Sequence, residues 1–233
     1  MNLRRPRALS AVLGLAAAIA GGAAGAGESV GRLDFDLPSP GWQLVTTSEH
    51  PLHYQSGVDI PLFTKLYALR ARGAVPKALL IVTSTSGSAR GRTQWVTERC
   101  PDPRPNYFAA DFDSNKLTRV RECIVVNPGF VAAKYFANAD PLLLAMKEAG
   151  LSLPASAYSL RVTVGTDGGS FARVHLIAAP SFVGVRQGVV AAPDSFGVAT
   201  ELVAWGEALH AAVKDSMRLG GRLNLPPIEF KDQ

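Results

Sequence analysis

Only two cysteines, Cys100 and Cys123, occur among the 233 residues. So few exclude a disulfide-dense mini-scaffold and a zinc site built on a cysteine set. Their spacing is far wider than the Cys-x-x-Cys of a redox pair, so they read as one structural crosslink closing a loop over 100–123. Charged residues make up 18% of the chain, below the ~25% of an ordinary domain. With 47% hydrophobic residues, the chain is not of the disordered class. It has no Gly-Lys-Ser/Thr phosphate loop, no Gly-x-Ser-x-Gly elbow and no His-Glu-x-x-His helix. No cofactor and no metal is therefore expected.

Residues 1–26 carry the clearest positive signal. Arg4, Arg5 and Arg7 precede an apolar run from Ala8 to Ala20, and Ala24-Gly25-Ala26 fits a small-residue cleavage site. This is the layout of a secretory signal peptide. The run is rich in Ala and Gly, whereas a spanning helix needs about 20 strongly apolar residues. Cleavage leaves 27–233 as a single domain with no transmembrane helix, in the periplasm or outside the cell, where a disulfide can persist. Three of the 24 basic residues leave with the leader and none of the 19 acidic ones, so 21 face 19, a formal +2. That balance gives no global argument for nucleic acid.

Alternation sets out the strands. Leu33 to Leu37 alternates, Trp42 to Thr47 reads as a second strand, and Leu62 to Arg72 as a third with Phe63, Tyr67 and Leu69 on one face. Ala78 to Val82 is continuously apolar, as in a strand buried on both faces, and is placed centrally. Cys123 to Val126 is a short buried strand closed by Asn127-Pro128-Gly129. Asp140 caps a short helix, Pro141 opens it and Gly150 ends it. Tyr158 to Val164 and Phe171 to Ala178 form a hairpin around Asp167-Gly168. A long helix from about Phe196 to Leu219 carries Val198, Leu202, Trp205, Leu209, Val213 and Met217 in one stripe. The tail, 220–233, reads as extended over the surface. The sum is an α+β domain, a largely antiparallel sheet with both helices packed on it.

Several polar groups could carry chemistry. The Ser/Gly-rich stretch Thr83 to Gly91 follows the central strand, and its backbone N–H groups could cradle an anion. Ser86, Ser88, Arg90, Arg92, Trp95, Arg119 and Arg121 are the candidate ligand contacts, mixing guanidinium with hydroxyl and aromatic groups. Glu49, His50 and His53 suit a zinc-type ion, but Pro51 places them in an exposed turn. Asp111 and Asp113 share a face of an extended segment, as Asp34 and Asp36 do. His175 lies on the hairpin's more polar side and His210 at the edge of the helix stripe, and each reads as a surface histidine.

These readings lead to an exported bacterial envelope protein that binds a ligand or partner without catalysis. The partner is another envelope protein or an acidic small ligand. The competing expectations are an exported hydrolase or transferase using the loop 83–91, and a subunit of an envelope assembly.

Overall fold

The computed structural model describes residues 27–53, 59–70, 74–86, 100–101, 108–111, 121–131, 134, 140–153, 156–166, 170–183, 200–219 and 221–228. In chain order the elements are β1 (Glu28–Val30), β2 (Leu33–Asp36), β3 (Trp42–His53), β4 (Asp59–Leu69) and β5 (Ala78–Thr85). Then come β6 (Phe108–Asp111), β7 (Arg121–Phe130), α1 (Asp140–Glu148), β8 (Ala157–Gly165) and β9 (Phe171–Ala178). A 3-10 turn at Pro180–Val183, α2 (Thr200–Leu219) and β10 (Leu223–Asn224) complete them.

Seven strands form one sheet in the order β3-β4-β5-β9-β8-β7-β6, with every neighbouring pair antiparallel. β1, β2 and β10 form a second, small sheet in which β10 runs parallel to β2. The large sheet carries apolar residues on both faces, and each face packs against a further layer. On one face Tyr67, Leu80, Val174, Leu160 and Ile124 meet α2 and the small sheet through Trp205, Leu209, Val213, Phe35 and Leu223. On the other, Leu66, Ala68, Leu79, Ile81 and Ile177 meet Leu142 and Met146 of α1. Fully burying such an aliphatic side chain is worth about 1.5–3 kcal/mol, so both layers drive the fold.

Local chemistry fixes the joints. α1 ends in a Schellman motif: the Leu151 amide donates to the Met146 carbonyl at 2.9 Å and the Gly150 amide to Lys147 at 3.0 Å. Gly150 has φ +67°, a conformation that glycine adopts without penalty. Gly31, at φ +56°, turns β1 into β2, and a side chain there would stand 2.8 Å from the Ser84 carbonyl oxygen. The next amide, Arg32, donates to the Thr85 carbonyl at 3.0 Å, which fastens the small sheet to the end of β5.

Several expectations hold. β5 is buried along its whole length between β4 and β9. Phe63, Tyr67 and Leu69 do pack on one face. The β8–β9 hairpin pairs Tyr158 with Ala178 through to Gly165 with Phe171. Others are corrected. The described part of the tail, 221–228, does not run over the surface: Leu223, Leu225 and Ile228 are buried in the main core, and the Trp205 indole N–H donates to the Pro226 carbonyl at 3.1 Å. Asn127 does not close β7, which continues to Phe130 through an irregularity, with the Gly129 amide donating to Asn127 Oδ1 at 2.9 Å. Thr83 to Thr85 are strand rather than loop.

Glu49 to His53 are also strand rather than turn, the outer half of edge strand β3. The reason is that Pro51 faces Pro61. Neither has an N–H, so the pair belongs to the non-hydrogen-bonded class and the Pro51 nitrogen points away from β4. Proline is tolerated there because this is the sheet edge. It also removes one donor from that edge, and the irregularity between Leu44 and Thr46 interrupts it further up. Pro51→Val restores an outward N–H on an exposed edge. Its weight-average mass by light scattering is expected to rise above that of the natural sequence, and an unchanged mass would show that the proline does not guard this edge.

Candidate binding face

The sheet face under α1 is divided. Its apolar end packs on the helix, and its other end is polar because β8 and β9 place Ser159, Arg161, Thr163, Arg173 and His175 on the same side as Ile177. Arg161 stands opposite His175 on β9 and Val125 on β7, while Thr163 stands opposite Arg173 and Cys123. β4 and β5 extend this hydroxyl-lined surface with Thr64 and Thr83, whose side-chain oxygens lie 3.0 Å apart.

Ser159 Oγ and His175 Nε2 are 2.7 Å apart. A serine against an imidazole is the beginning of a nucleophile and its base. Here the residues are 5% and 2% exposed, so the pair ties β8 to β9 and offers no approach to a substrate. Burial holds the His175 pKa well below the usual histidine range, and the Arg161 and Arg173 charges push it the same way. His175 is therefore a neutral ring at pH 7, with the Phe130 ring edge-on to it at 5.5 Å. Arg173 Nε reaches Thr163 Oγ1 at 3.4 Å, and its guanidinium sits 5.3 Å from the Phe171 ring centre.

Two further charged clusters join layers. Glu122, on β7 but facing α2, accepts from Lys214 Nζ at 2.7 Å and has His210 Nε2 at 3.2 Å. Burial lowers the His210 pKa against the pull of Glu122, and Lys214 adds to the lowering. Glu28, on β1, accepts from Lys65 Nζ at 2.8 Å and from the Tyr67 hydroxyl at 2.9 Å. The Lys65 hydrogen bond holds the Glu28 carboxyl below its ordinary range, although partial burial opposes it. Burial, reinforced by Glu28, raises the Tyr67 phenol, which stays protonated.

The expected site residues fare differently. Ser86 is half-buried just past β5. Ser88, Arg90, Arg92, Trp95, Arg119 and Asp113 lie outside the described residues, and Arg121 is placed only as the first position of β7, opposite Gly165. Thr85 is engaged within the sheet, its Oγ1 accepting from the Phe171 amide at 3.0 Å. His50 is exposed on β3, and His53 is placed only as the last position of that strand, opposite Asp59. Among the described residues no group of three or more His, Cys, Asp or Glu could hold a metal ion. Asp34 and Asp36 are exposed on β2, and Asp36 pairs with Arg222. His175 and His210 are buried, a correction to their reading as surface groups. The polar side of an alternating strand faces solvent only when that side is uncovered, and at these two positions it is covered.

Sequence reasoning overlooked Ser159 and Arg161. The signal was present in the hairpin, since two alternating strands joined by a turn set their polar positions on one face. The crosslink between Cys100 and Cys123 is formed, with α-carbons 5.6 Å apart. Among the described residues no helix is long and apolar enough to cross a membrane. The chain matches no family model, no curated protein and no solved structure.

Proposed function

We propose that this chain is an exported, non-catalytic binding module that meets an anionic ligand or partner at Arg161, a half-buried cation on the otherwise buried polar face of β8 and β9. One observation carries the reading. The Ser159–His175 pair is sealed within the layers, while the neighbouring Arg161 remains half-exposed on the same face. Recognition therefore falls to a cation over hydroxyl groups, and the only described nucleophile–base contact has a framework role. Export is supported by the leader pattern of residues 1–26 and by the crosslink, which persists in oxidising compartments.

The test is a turnover screen with chromogenic esters, phosphate esters and peptides. The natural sequence and Ser159→Ala are both expected to give background rates. Turnover by the natural protein that disappears in Ser159→Ala would replace this reading with a hydrolase. The same alanine variant is expected to lose about 0.5–1.5 kcal/mol of stability, the net worth of a typical hydrogen bond, as read by denaturant unfolding.

A further inference from the structure

We infer that Arg161 anchors a site for a carboxylate group, carried by a small acid or by an acidic side chain of a partner protein, on the hydroxyl-lined face of β8 and β9. This deepens the reading of the chain as a binding module and rests on it. Half-buried and buried charges elsewhere among the described residues have partners: Glu28 has Lys65, Glu122 has Lys214, Arg32 has Ser170 and Arg173 has Thr163. Arg161 makes neither a hydrogen bond nor an ion pair with any described residue, though it is half-buried in the middle of an interior strand. A charge drawn partly out of water without a counter-group is unfavourable, so the position favours an incoming anion.

The surroundings select its chemistry. Ser159 and Thr163 flank Arg161 along the strand, Val125 stands across from it, and Cys123 and Asn127 complete the β7 side. None of these is acidic. Arg161 has no ion-pair partner among the described residues, and its guanidinium fork matches the two oxygens of a carboxylate. Arg173 is the diagonal neighbour, at roughly 7–8 Å by ordinary sheet geometry, and adds attraction without being needed as the partner. Val125 and Phe130, both half-buried, give the group an apolar flank that suits a carboxylate on an apolar stem.

The experiment is an NMR titration of the purified, disulfide-bonded chain, following the Arg161 Nε–Hε resonance in the natural sequence and the backbone amides of residues 159–163 in the natural sequence and both variants. The probes are benzoate, a short end-blocked peptide containing glutamate, and inorganic phosphate. A saturable shift with a carboxylate probe is expected. It should be abolished in Arg161→Gln and weakened at least ~10-fold in Arg161→Lys, which keeps the charge but loses the fork. Tighter binding of benzoate identifies a small acid, and tighter binding of the peptide identifies a protein partner. The backbone amide spectrum verifies that each variant is folded, and Arg161→Lys keeps the test decisive if Arg161→Gln is not. Phosphate binding more tightly than either carboxylate, or no saturable shift at Arg161, overturns the site. A saturable shift confined to other residues overturns the site while leaving the binding module standing. Chemical conversion of a bound probe overturns the non-catalytic reading while leaving the site standing.

Discussion

Acidification from pH 6.5 to pH 5 is expected to destabilise the fold through His175, with a slope of at most about 1.4 kcal/mol per pH unit for one proton. The sign follows from the direction of the shift. Burial and the two neighbouring guanidinium groups depress the pKa of His175 in the folded chain. Below about pH 6.5 the unfolded chain therefore takes up a proton that the folded chain refuses. The stabilisation is complete above the unfolded value and is lost as the pH falls towards the folded one. His210 is lowered as well and contributes in the same sense. Glu28 acts in a separate window, below the ordinary carboxylate range, because its shift is that of a carboxyl held ionised. The check is denaturant unfolding across pH 5 to 7.5 for the natural chain and for His175→Gln, which keeps a polar partner for Ser159 but does not titrate. The variant should show a clearly shallower slope. Equal slopes would mean that His175 is not a buried neutral ring.

Removing the crosslink with paired Cys100→Ser and Cys123→Ser substitutions is expected to destabilise the fold by about 3 kcal/mol on the chain-entropy estimate for a loop of this length. The sequence separation is 23 residues. The enclosed chain includes β6, a strand of four residues whose one partner among the described residues is β7, from Phe108 opposite Val126 to Asp111 opposite Cys123. Cys100 Sγ also lies 3.4 Å from the Ala110 carbonyl oxygen, so the crosslink bears directly on β6. So short a strand gains little from its own ladder, and the covalent tie holds its ends near β7. Guanidinium unfolding of the oxidised natural chain against the double variant measures the difference. Amide exchange should show Ala109 and Ala110 losing protection before the centre of β8 does. A difference below ~1 kcal/mol would mean that the unfolded chain is not appreciably constrained by the bond.

Legibility in the sequence followed how local each cause was. α1 was readable because its stop lies in adjacent residues, where Gly150 takes the positive φ. The β8–β9 hairpin was readable because both strands flank one turn. β5 was readable from Ala78 to Val82 because a continuous apolar run leaves no polar face, but its buried polar end, Thr83 to Thr85, was not. The length of β3 was not, since Pro51 is a strand residue only by virtue of an edge position and of Pro61 opposite it. Nor was β10, whose partner β2 lies at the other end of the chain. Arg161 and His175 look alike in sequence, as polar residues in apolar alternation. One is half-exposed and the other buried because of what lies over each, which no local pattern records.

Pairing between β2 and β10 also sets an order of events. Phe35 cannot meet Leu223 until nearly all of the polypeptide is available, and contacts so distant in sequence form slowly. If the chain is exported amino-end first, as proposed, β2 passes the pore with its final neighbour still on the near side, and the small sheet closes only after passage is complete.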